Sequence, residues 1–108
     1  MSIKALIFGQ SKPAAGATVK LFTAAANKNY QGSVQVQNQG AAEDKISIAR
    51  VPGGGAPAAA NWLPLDLPLV GGGLGAHELH LRINAGDEVY IKSLNGTSVF
   101  HADGLEVS

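Results

Sequence analysis

The chain has 108 residues, enough for one domain and too few for a second independent core. Lys and Arg together number eight, as do Asp and Glu, so the formal net charge is zero. No basic stripe is present of the kind that meets phosphates, which argues against a nucleic-acid partner, and the absence of cysteine excludes disulfides, thiolate chemistry and Cys-based zinc sites.

Apolar residues make up 45%, but aromatics are scarce, so a core must come mainly from Val, Ile, Leu and Ala. The first strand signal is Ile3–Phe8. Its apolar run, Ala5–Phe8, is too short for a signal peptide or a membrane span, which needs about 20 apolar residues. No membrane partner is therefore expected, and synthesis in the cytoplasm is. Thr18–Thr23 follows, with Val19 and Leu21 on one side and Lys20 on the other. Ser33–Gln37 alternates Val34 and Val36 with Gln35 and Gln37. Lys45–Arg50 repeats the pattern with Ile46 and Ile48. Trp62–Val70 carries Leu63, Leu65, Leu67 and Leu69 at period two, opposite Pro64 and Pro68. Each proline removes a backbone donor, so this strand is expected at a sheet edge. An extended loop laid over the core is the alternative for the same stretch. Glu78–Ile83, Glu88–Ser93 and Thr97–Val107 complete a set of about eight strands of ordinary length.

Gly, Pro, Asn and Asp collect between these runs, and 14 Gly with five Pro argue against a helical protein. One all-β domain over residues 1–108 is expected: an antiparallel two-sheet sandwich of jelly-roll or Greek-key kind. The low-complexity stretch from Pro52 to Asn61 is expected to form a loop or arm. It could lie against a neighbouring subunit or simply be loose.

Candidate chemistry is thin. Asn84-Ala85-Gly86-Asp87 joins two alternating strands. Gly86 can take the positive φ of a tight connection and Asp87 can cap its own turn, so Asp87 reads as a turn residue. His77 and His80, three apart, face opposite sides of a strand and cannot chelate together. His101 and Asp103 share a face, but no nucleophile is fixed beside them by spacing. Gly71–Gly75 and Gly53–Gly55 lack the Lys-Ser/Thr of a phosphate loop. Asn95-Gly96 reads as a hairpin turn. Trp62 and Tyr30 are the rings available to a sugar site, and two isolated rings carry little weight. No catalytic, cofactor or metal residues are assigned, and no enzyme activity is expected.

Two stretches, KALIFGQSKPAAGATVKLFTAAANKNYQGSVQVQNQGAAEDKISIARVP and ELHLRINAGDEVYIKSLNGTSVFHADGLEV, taken in order, carry a resemblance. The pieces are Gln10–Pro13, Leu21-Phe22-Thr23, Ser33–Asn38, Ile46–Arg50, Ile83-x-Ala85-Gly86-Asp87-x-Val89-Tyr90, Asn95 and Gly104–Val107. Together they resemble small β-rich structural proteins of tailed bacteriophages, which occur as head decoration (cement) proteins and as tail or fibre modules. Pro52–Leu69 departs from that pattern. The resemblance implies a homo-oligomer, a trimer, bound to the major capsid protein on the outside of a phage head. It supplies no catalytic residues. The alternatives carried with it are a tail, baseplate or fibre module and, in another class, a carbohydrate-binding attachment module. Trp62, Leu63 and Leu65, with Pro52 and Pro57 of the arm, are the candidates for subunit or shell contact.

Overall fold

The computed structural model describes residues 2–108. Eight strands follow one another: β1 (Ile3–Ser11), β2 (Val19–Thr23), β3 (Asn29–Asn38), β4 (Asp44–Val51), β5 (Leu67–Leu69), β6 (Ala76–Ile83), β7 (Glu88–Ser93) and β8 (Ser98–Val107). A single 3-10 turn, Ala59–Asn61, lies between β4 and β5. β2, β3, β4, β6 and β7 form where apolar and polar residues alternate, because period two gives a ribbon one face to bury and one to wet.

The pairing is that of a long ribbon folded back on itself. β1 pairs with β8, β2 with β7, β3 with β6 and β4 with β5, all antiparallel. Two further pairings, β3 with β8 and β4 with β7, join these hairpin layers into sheets. The result is a β1-β8-β3-β6 sheet packed on a β2-β7-β4-β5 sheet. The expected two-sheet sandwich is thus present, and its strand order is that of a jelly roll.

The inward rows supply the core: Val34, Val36, Phe100, Ala102 and Ile83 from one sheet, Leu21, Ile46, Ile48, Val89, Ile91 and Leu69 from the other. Side chains of this kind each contribute roughly 1.5–3 kcal/mol on full burial. At one side of the sandwich Phe8 packs on Phe22 and Tyr30, with ring centroids 5.3 and 4.9 Å apart. β1 is irregular between Ile7 and Gly9, which lets Phe8 turn toward the core. A Cβ on Gly9 would lie 2.7 Å from the Leu21 carbonyl oxygen, so β1 and β2 close this side tightly. Tyr30, one of the two rings considered for a sugar platform, is buried in this cluster.

The opposite side is different. There the edge strands are β5, three residues long, and β6, eight residues long. The expected strand Trp62–Val70 is only partly realised. The stretch does run along the edge of β4, as its prolines require. Trp62 pairs with Ala49, and Leu67–Leu69 pair with Ile46–Asp44. Between these contacts the register slips. Asp66 takes a left-handed φ of 52° and its amide donates to Ser47 Oγ at 2.9 Å. The alternation therefore breaks, and Leu63 and Leu65 point to solvent while Leu69 reaches the core.

Candidate functional site

A tight turn, Asn84–Asp87, joins β6 to β7. Gly86 has a φ of 85°, and Asp87 Oδ2 accepts from the Asn84 amide at 3.1 Å, closing the turn. The other carboxylate oxygen accepts from the Gly53 amide at 3.0 Å. Asp87 is thus the turn residue expected, and it has a second task that spacing could not disclose: it holds the base of the arm. Glu88 continues the attachment. Its Oε1 accepts from the Gly55 amide at 2.8 Å and from Tyr90 Oη at 2.9 Å, and its Oε2 accepts from Lys20 Nζ at 2.9 Å. The donor from Lys20, then the Gly55 amide and Tyr90, hold the Glu88 carboxyl down at about 2. The Pro52–Asn61 arm is accordingly tied down at its glycines and not left loose. The Ala58 amide donates to Asn61 Oδ1 at 2.7 Å, bracing the 3-10 turn that ends it.

Beyond the turn the chain meets β4. The Leu63 amide donates to the Ile48 carbonyl at 2.8 Å, and the Ile48 amide to the Pro64 carbonyl at 3.0 Å. This backbone clamp holds Leu63, 72% exposed, and Leu65, 60% exposed, out from the edge of the sandwich. Of the other predicted contact residues, Pro52 is exposed, while Trp62 and Pro57 are half-buried. Pro52 and Leu63 are brought to one place. They line a cleft of about 340 Å³ on the open side, together with Ile48, Arg50, Ala60, Asn61, Leu79, His80, Leu81 and Arg82.

Arg50 and Arg82 are the only arginines in the chain, and both line this cleft. Arg50 Nη1 donates to the Arg82 carbonyl at 2.8 Å, bridging the two sheets. Neither guanidinium meets a carboxylate among the described residues. Sequence reasoning passed over both, because they sit on strands of different sheets: Arg82 falls on the polar side of its strand, whereas Arg50 continues the inward row of Ile46 and Ile48. Their being the chain's only two arginines was the one signal available.

The histidines do not converge. His77 is half-buried and His80 exposed, on opposite faces of β6 as expected. His80 Nε2 lies 3.4 Å from Glu78 Oε1. His101 and Asp103 share the outer face of β8, but Asp103 Oδ1 accepts from Gln35 Nε2 at 3.1 Å, and His101 approaches only Gln10, at 3.5 Å. An Asp bound elsewhere does not orient the imidazole, so the pair lacks the geometry of a base and its orienting acid. Among the described residues no group of three His, Cys, Asp or Glu side chains could hold a metal ion.

One buried polar cluster lies at the end of the sandwich where β3–β4 and β7–β8 connect. Asp44 is fully buried at the start of β4. It accepts from Ser93 Oγ at 2.5 Å, Ser98 Oγ at 2.6 Å and the Asn95 amide at 2.8 Å. Burial pushes the Asp44 carboxyl up, but the hydroxyls of Ser93 and Ser98 and the amides of Asn95 and Lys45 outweigh it and hold the group below its ordinary value. Asn38 sits nearby, also fully buried. Its Nδ2 donates to the carbonyls of Ala42, Leu69 and Val70, and its Oδ1 accepts from Gly40 and Thr97. Each polar atom here is spent on a neighbouring loop, so the cluster is a fastening. No protein-family model matches the sequence, and no curated protein matches it either.

Proposed function

We propose that this chain is a non-enzymatic assembly module: a decoration protein that forms a homotrimer and binds the outside of a tailed-phage head. The observation that carries the reading is the number of large apolar side chains a small, net-neutral jelly roll leaves in water. Ile3, Ile7, Leu63, Leu65, Val70, Leu74, Leu94 and Leu105 are all exposed. Such residues reward burial against neighbours at about 25 cal/mol per Å². A chain without net charge also meets little repulsion from copies of itself. A clamp of this kind needs no reaction. It binds assembled shell in preference to free subunits, and mass action then stabilises the shell. Symmetric repetition turns a modest contact into avidity.

Leu63 and Leu65 are the proposed anchors, because the backbone clamp to Ile48 presents them on a rigid edge. The test is co-sedimentation of the purified chain with heads of the phage that encodes it. The wild type is expected to pellet with heads. A Leu63→Ser/Leu65→Ser variant with an unchanged thermal melt is expected to bind at least about tenfold more weakly. Recovery of the wild type on tails alone would move it to a tail module. Recovery in neither fraction would end the virion reading.

A further inference from the structure

We propose that the cleft on the open side of the sandwich is a docking site for an extended, carboxylate-bearing peptide strand, which adds to the free edge of β6. This deepens the assembly reading. It rests on that reading for the owner of the peptide and not for the site itself.

Three observations converge. The first is the edge. β6 is the last strand of its sheet, paired among the described residues only with β3. The Arg82 carbonyl is turned away from β3, since it accepts from Arg50. Backbone groups alternate in direction along a strand, so the amides and carbonyls of His80 and Glu78 point the same way. An extended peptide laid beside them would find a ready ladder of donors and acceptors.

The second observation is the floor. Leu79 and Leu81 point inward from β6 and are only half-buried, because β5 is too short to cover them. Ile48 and Leu63 face them across the cleft, and Pro52 and Ala60 of the arm form its rim. Alternate side chains of an added strand would enter this apolar slot, and the others would stay outside.

The third is charge. Both arginines of the chain stand at the cleft without a carboxylate partner among the described residues. The Arg50 guanidinium is fixed by its bond to the Arg82 carbonyl, whereas among the described residues no side-chain hydrogen bond holds the Arg82 guanidinium. A planar fork of donors is matched by a carboxylate, which it can grip in two places. Glu78, the acidic neighbour on β6, is engaged with Ser33 and His80 on the outer face. The occupant is therefore an extended segment in which apolar and acidic side chains alternate, with a carboxylate placed over Arg82.

The test uses the full chain, isotope-labelled, and two blocked hexapeptides, one alternating Val and Glu and one alternating Val and Lys. The Glu peptide is expected to shift the amide resonances of residues 78–83 and of Arg50 and Leu63. The Lys peptide is expected to leave them in place. Arg82→Gln should weaken binding of the Glu peptide about tenfold or more, with Arg82→Lys recovering part of the loss. A Glu peptide methylated on alternate backbone nitrogens should not bind, because it cannot form the ladder. Equal shifts from both charged peptides, shifts at other residues, or no shifts from the Glu peptide up to its solubility limit would overturn the proposal. Because this experiment contains no phage particle, a chain that grips the peptide yet ignores heads would keep the site and lose the virion reading.

Discussion

At the scale of single residues, two carboxylates hold parts of the molecule for opposite reasons. Asp44 is buried, and four donors keep it ionised. Asp44→Ala strands two buried hydroxyls and a loop amide, at a cost of about 3 kcal/mol or more. Urea unfolding should record that loss. The native carboxyl is held below its unfolded value, so its contribution is complete above that value, near pH 4. It is lost as pH falls through the lower native value. Glu88 is a surface group, and its partners fasten a loop. Its carboxyl stays ionised until about pH 2, well below the ordinary 4.5. Hydrogen-exchange protection of the Gly55 amide should therefore survive at pH 4 and fade only toward pH 2. Glu88→Ala, which leaves the Gly55 amide no acceptor there, should remove that protection at neutral pH. Asp87 was legible as a turn residue from Gly86-Asp87. Its hold on Gly53 was not, because that bond spans 34 positions of sequence and local turn chemistry reaches only a few.

At the scale of elements, the strands were legible wherever one face is buried and the other wet. β3, β4, β6, β7 and β8 lie within a few residues of where alternation places them. The Trp62–Val70 stretch shows the limit of that signal. Four leucines at period two imply one buried row, yet only Leu69 is fully buried. Pro64 and Pro68 sent the stretch to an edge, as read, while the left-handed Asp66 reset the direction of the side chains before it. That reset leaves Leu63 and Leu65, named as contact candidates from the sequence, in solvent and outside the core row. The arm gives the matching prediction. Deleting Gly53–Ala59 removes both glycine anchors and the first residue of the 3-10 turn, but no strand and no residue that lines the cleft. The shortened chain should keep its β-sheet circular dichroism spectrum while failing to trimerise or to bind heads. A shortened chain that still does both would remove the arm from the assembly surface.

At the scale of the whole molecule, the sandwich is lopsided. It extends 45 × 27 × 18 Å, closed where β1 meets β2 and open where β5 falls short of β6. Alternation could announce sheets, but not this order, since pairing of Ile3 with Val107 or of Arg50 with Val89 depends on how the whole ribbon folds back. The two arginines meet for the same reason, which is why the cleft was invisible in the sequence. The open side and the leucine edge above it are the surfaces on which the assembly reading stands, and self-association is its first consequence. Sedimentation velocity of the purified chain tests it most directly. The account predicts a discrete species of three times the 11.0 kDa chain mass, reduced to one chain by Leu63→Ser/Leu65→Ser. A wild-type chain that sediments as a single copy at every concentration would contradict it.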